Sequence, residues 1–130
     1  MHKIILMIVL AALSSSAAAK WVRISADETH AAYADPATIR KAGGMARMWS
    51  VFDYYKAGAV LDNGKSYLST RAQFEYDCSA DRMRPLAVSF HSRNMAGGEI
   101  VHSTFDPGDW GPVPPGTMNQ ALWKTACRKR

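Results

Sequence analysis

The stretch "LSTRAQFEYDC", Leu68–Cys78, decides the fold class. Its even positions read Leu68, Thr70, Ala72, Phe74, Tyr76 and Cys78, and its odd positions Ser69, Arg71, Gln73, Glu75 and Asp77. A period of two is the signature of a half-buried antiparallel strand, with one face on a core and the other toward water. Cys78 therefore lies on the core side with Phe74 and Tyr76, while Arg71, Glu75 and Asp77 turn outward. "SADR", residues 79–82, follows as the turn into the next strand. The two carboxylates, with arginines close in sequence, are expected to form exposed ion pairs.

A cysteine among acids and arginines could be a metal ligand, a thiol nucleophile or half of a disulfide, and the compartment decides between them. "MHK" is a short basic start, "IILMIVLAAL" an apolar run and "SSSAAA" a small-residue stretch up to an expected cut after Ala19. That is the layout of a secretory signal peptide. The run from Ile4 to Leu13 is ten residues, whereas a membrane-spanning helix needs about 20. No cysteine follows the expected cut, so a lipid anchor of the bacterial lipoprotein kind is not expected. The expected mature chain, residues 20–130, is one domain. Cys78 and Cys127 are the two cysteines, and in an oxidising compartment an even count reads as one bond.

The full chain carries a formal charge of +5, three units of it from the terminal Arg128, Lys129 and Arg130. That tail could touch anionic surfaces. A nucleic-acid binder would interleave basic and aromatic residues over a face, and no such pattern is read here.

The remainder reads as strands followed by one helix. "KWVRIS" and "HAAYAD" are the first two strands. In "DPATIRKAGG", Asp35 caps a single helical turn begun by Pro36 and stopped by Gly-Gly. "MARMWSVFDYYK" is a central strand with bulky side chains on both faces, and "AGAVLDNGKS" is a loop with an Asn63-Gly64 turn. "RMRPLAVSFHS" and "EIVHSTF" form a hairpin around "RNMAGG", with Pro85 at an edge or bulge. A Pro- and Gly-rich crossing, "DPGDWGPVPPGT", leads to "TMNQALWKTACRKR". Thr117 and Gln120 form a capping-box signature there. The architecture is α+β: an antiparallel sheet of about five or six strands with one C-terminal helix packed on it and tethered by Cys78–Cys127.

The ordered set "WVRIS", "YADPATIRKAGG", "MWSVFDY", "GKSYLSTRAQFEYDC" and "WGPVPPGTMNQALWKTAC" resembles the surface-adhesin protein E family of Gram-negative envelope proteins over nearly the whole mature chain. The resemblance implies a small antiparallel sheet with a disulfide-tethered helix. It also implies a binding role, since the founding member is an outer-membrane adhesin for host matrix and serum proteins that has been linked to haem binding. The missing lipid-attachment cysteine points to the periplasm or to secretion rather than to surface display.

Candidate site residues follow from the pattern. Pairing Ser92 with Glu99 sets His91 opposite Ile100 and places His102 one diagonal step away on the same face, where both could contribute to a metal or haem site. Ser89, His91 and Asp106 could be assembled into a catalytic set, but such polar trios arise often on neighbouring strands, and no nucleophile-elbow motif is present. Of four tryptophans, Trp49 and Trp123 are expected to pack between sheet and helix. Trp110, in the crossing segment, either pins that segment to the sheet or serves as an exposed anchor for a partner.

The function expected is a non-catalytic, cofactor-free envelope module that recognises extracellular-matrix or envelope proteins through a rigid surface. A periplasmic binder of haem or another small molecule, using a sheet–helix groove, is the alternative.

Overall fold

The computed structural model describes residues 19–57 and 59–128. Residues 1–18 of the expected signal peptide 1–19, and Lys129 and Arg130 of the basic tail, lie outside the described residues.

Ten strands precede one helix among the described residues. They are β1 (Val22–Ala26), β2 (His30–Ala34), β3 (Arg40–Ala42), β4 (Met45–Tyr54), β5 (Ala59–Val60), β6 (Ser66–Tyr67), β7 (Ser69–Asp77), β8 (Arg82–His91), β9 (Ile100–Thr104) and β10 (Gly111–Pro112), followed by α1 (Met118–Cys127). Eight of the strands form one antiparallel sheet in the order β1-β2-β4-β7-β8, with β3 beside β4, and β9 and β10 both beside β8. The stretch expected to be a plain loop contains a small hairpin of its own, β5 with β6. No helix among the described residues is long and apolar enough to cross a membrane.

The bulky strand β4 is central as expected, lying between β2 and β7. Its even side chains Ala46 and Met48 face α1, opposite Tyr76 and Phe74 of β7. The core there joins Ala32, Ala34 and Met83 of the sheet to Leu122, Trp123 and Ala126 of the helix. Alanines on the sheet side let the helix approach the backbone closely enough to bury Trp123. Tyr76 is fully buried, and burial pushes its phenol above the ordinary range against the opposing effect of the Ser50 hydroxyl.

The helix begins where the capping signature placed it. The Thr117 hydroxyl accepts the Gln120 N–H at 3.2 Å, and the Gln120 side chain accepts the Gly116 N–H at 2.9 Å. At its other end Cys78 and Cys127 form the expected disulfide, with Cα atoms 5.6 Å apart. The Asp35 cap is also present, its carboxylate accepting the Ala37 N–H at 3.1 Å over the single 3-10 turn Pro36–Thr38.

Beyond that turn the chain makes a hairpin that the helical-turn reading missed. Gly43 and Gly44 have φ of +54° and +81°, the conformations of a two-residue hairpin turn that side chains resist, so Arg40–Ala42 folds back on β4. Pro85 sits at a bulge between β7 and β8, as expected of a residue without an N–H.

Candidate binding surfaces

The face of the sheet turned away from α1 is where the charged residues collect. Glu75 and Asp77 point to it, as alternation requires, but they are 7% and 3% exposed rather than solvated. The expectation of exposed ion pairs is corrected by their partners, which come from three segments. Glu75 Oε2 accepts Arg47 Nε at 3.2 Å, and Glu75 Oε1 is 2.9 Å from Arg84 Nε and 2.8 Å from Arg84 Nη2. Asp77 accepts the Ser79 hydroxyl at 2.8 Å, Arg82 Nε at 2.9 Å and the Ser79 N–H at 3.1 Å. These bonds, the Ser79 hydroxyl first and Arg82 second, hold the Asp77 carboxyl below its ordinary pKa.

Trp110 completes the cover. The guanidinium carbons of Arg82 and Arg84 stand 4.6 and 4.9 Å from its ring centroid, a double cation–π contact over the ion pairs. β10 and the hydrogen bonds Gly108 N–H to Pro85 O and Val113 N–H to Asp81 O, each 2.9 Å, seat the same segment on β8. A side chain at Gly108 would put its Cβ 2.7 Å from Pro85 Cγ, so the close approach requires glycine. Of the two roles expected for Trp110, the structure supports the pin.

Trp49 is a correction. It was expected between sheet and helix, but it pairs with Gln73 on the opposite face, and the Arg71 guanidinium lies 4.3 Å from its ring centroid. Its strand neighbours Met48 and Ala46 take the helix side, because the period of two allows only one parity there.

The expected register of the β8–β9 hairpin holds at its first step: Ser92 N–H bonds to Glu99 O at 2.9 Å and His91 lies opposite Ile100. A bulge then intervenes, so His102 pairs with Phe90 rather than lying diagonal to His91. One extra residue flips every side chain beyond it. His91 and His102 therefore occupy opposite faces and do not converge on one metal or haem. His91 is buried and His102 exposed, its ring 5.8 Å from that of Phe90. His91 Nε2 is 2.7 Å from Ser89 Oγ, yet its buried Nδ1 has no hydrogen-bond partner among the described residues, so Asp106 does not complete a triad. Burial, with the Arg71 charge second, pushes the His91 pKa down.

The hairpin loop is tightly held. The Asp53 carboxylate accepts Asn94 Nδ2 at 3.0 Å and the Met95 N–H at 2.8 Å, and Ser69 Oγ donates to Arg93 O at 2.6 Å. These bonds hold Met95 and Ala96 at φ of +53° and +59°. Next to the loop, β9 is an edge strand; Ile100 on it is 61% exposed and Phe105, just past its end, 76%.

On the helix side, the end of the sheet near Thr117 holds a cleft of about 420 Å³ lined by Asp27, His30, Phe52, Met118 and Asn119 among others. His30 stacks on Tyr54 at 4.8 Å and meets Phe52 edge-on at 5.3 Å.

The sequence reading missed the Arg40–Arg47–Glu75–Arg84 cluster. A signal for it was present, since a two-residue Gly-Gly turn in "RKAGGMAR" fixes Arg40 opposite Arg47.

Fold and surfaces together define a disulfide-stapled sheet-and-helix domain that presents ionic and apolar patches. The family model for surface-adhesin protein E matches residues 21–128, so the chain belongs to that family. Crystal form II of Haemophilus influenzae protein E aligns with a TM-score of 0.64 at 14% identity, covering 83% of this chain and 87% of that one. The selenomethionine form of Haemophilus influenzae protein E gives a TM-score of 0.62 at 13% identity over 84% and 86% of the two chains. No curated protein matches the sequence.

Proposed function

We propose that the chain is a non-catalytic exported module of the Gram-negative cell envelope that recognises extracellular-matrix or envelope proteins through its rigid sheet. Membership of the surface-adhesin protein E family supports an adhesin-like binding role. The observation that carries the reading is the β9 edge, a strand with a sheet neighbour on one side only among the described residues, where Ile100 on the strand and Phe105 just past its end stand exposed. A loop fixed by Asp53 and Ser69 holds that edge still, which reduces the ordering cost of binding.

Fractionation with surface proteolysis tests the address, and binding to immobilised matrix and envelope proteins tests the role. Phe105→Asp should weaken capture while leaving the thermal midpoint unchanged. Capture of no such protein by the folded wild type overturns the reading.

The cleft beside Thr117 favours a second reading, a small-molecule binder using the sheet–helix groove through His30 and Phe52. Here Met118→Trp, which fills the cleft, should abolish binding of a planar aromatic probe such as haem. An unshifted absorption band when haem is titrated into wild type would remove that version.

A further inference from the structure

Arg40, Arg47, Glu75 and Arg84 stand abreast on adjoining strands β3, β4, β7 and β8, on the face away from α1. Neighbouring strands lie about 5 Å apart, so the row spans roughly 15 Å. It sets three guanidinia against one carboxylate. Arg40 lies directly opposite Arg47, and like charges so placed oppose folding. Among the described residues no acidic side chain forms an ion pair with Arg40. Glu75 offsets the charge of Arg47, whereas Arg40 keeps its charge without an ionic partner among the described residues, and a local rule broken in this way points to a surface shaped by binding.

Each guanidinium is held from one edge. Two carbonyls, Ala37 O at 3.0 Å and Ile39 O at 2.9 Å, accept from Arg40 Nη1. Glu75 takes the Nε edge of Arg47 and of Arg84, and both terminal nitrogens of Arg47 make no hydrogen bond among the described residues. A cleft of about 410 Å³ opens beside the row, lined by Arg40, Lys41, Arg47 and Glu75 with Ala42 and Met45. Guanidinia already fixed in orientation, with unused paired donors, suit tetrahedral oxyanions. Because Arg40 and Arg47 repeat the charge at strand spacing and Arg84 follows one strand beyond Glu75, the row suits a linear chain of such anions better than one ion.

A single-stranded nucleic acid would need bare aromatic faces for its bases. The two tryptophans of this face carry arginines over their rings instead, Arg71 at 4.3 Å from Trp49 and Arg82 at 4.6 Å from Trp110. We propose that the row binds a linear sulfated polysaccharide, with one sulfate seated in the cleft between Arg40 and Arg47. This site lies apart from the β9 edge and does not rest on protein recognition there.

Calorimetric titration with a heparin-derived hexasaccharide at low ionic strength tests it. Wild type should bind, and affinity should fall as salt rises. Arg40→Gln with Arg47→Gln should weaken binding about tenfold or more. Arg40→Gln alone, which removes only backbone contacts, keeps the test valid if the double variant unfolds; it should still weaken binding. Lys129→Gln with Arg130→Gln should change it by less than about twofold. No binding by wild type, equal binding of the desulfated hexasaccharide, or loss confined to the tail variant would overturn the proposal. So would displacement of the hexasaccharide by a charge-matched single-stranded oligonucleotide at equal concentration.

Discussion

The indole N–H of Trp123 donates to the main-chain carbonyl of Asp77 at 2.8 Å, one residue before Cys78 bridges to Cys127. Helix and strand are thus joined twice within one helical turn, once by a covalent bond and once by a buried hydrogen bond. The bridge closes a separation of 49 residues. The chain-entropy model values such a closure at about 4 kcal/mol. Replacing both cysteines by alanine should lower stability in urea by roughly that amount. Trp123→Phe keeps an aromatic ring but removes the indole bond to the Asp77 carbonyl, at a cost of about 1–2 kcal/mol. The two effects share one corner, so the combined variant should depart from additivity. Strict additivity would show that the two links act independently.

A second prediction concerns the start of the helix. Thr117 Oγ1 accepts the Gln120 N–H and donates to Pro114 O at 2.7 Å, so it caps α1 and also fixes the crossing segment. Thr117→Ala should cost about 1 kcal/mol. Serine, which retains both bonds, should restore most of it. A urea midpoint lowered at unchanged slope would bear this out, and a changed slope would mean that the compactness of one state had shifted instead.

The pH dependence follows from His91. Its pKa in the folded protein lies below the ordinary 6.5, because burial and the Arg71 charge disfavour the protonated ring. The unfolded chain therefore binds the proton first as pH falls. Stability is unaffected by this residue above about pH 6.5 and declines as pH drops through that value toward the lower folded pKa. Asp77, also depressed, removes further stability only at more acid pH, as its carboxylate takes up a proton. Thermal midpoints of His91→Asn against wild type should show the first decline flattened and the second retained. Parallel curves between pH 7 and 5 would refute the assignment.

How much of this was legible can be judged residue by residue. Alternation gave the correct face for the side chains of Ser69–Asp77, and the count of two cysteines in an exported chain gave the disulfide partners. It could not show that the outward face would be roofed at Glu75 and Asp77. That burial depends on Arg47, Arg82, Arg84 and Trp110, brought together from three segments by tertiary packing. The closing pair Ser92–Glu99 was readable from the turn, whereas the bulge that separates His91 from His102 was not. A bulge inserts one residue without any mark in the hydrophobic pattern. Trp49 was misplaced because a large aromatic suggests a core, while strand parity, the stronger constraint, assigns it to the arginine face.

The roof over the ion pairs supplies the last prediction. Trp110 covers Arg82 and Arg84, and those two arginines hold Asp77 and Glu75, so the crossing segment is docked through Trp110 as well as through β10 and the buried Val113. Replacing Trp110 with alanine removes two cation–π contacts and should cost about 1–2 kcal/mol. The change should be local, because α1 is held separately by Cys127 and Trp123. Hydrogen exchange distinguishes this from a general loss of stability. The Gly108 and Val113 amides, which bond to Pro85 O and Asp81 O, should lose protection first. Amides between β4 and β7 should change only by the global amount. If Gly108 and Val113 keep their wild-type protection, the segment is held by its backbone and by the buried Val113 side chain, and Trp110 is free to serve as an anchor for a partner.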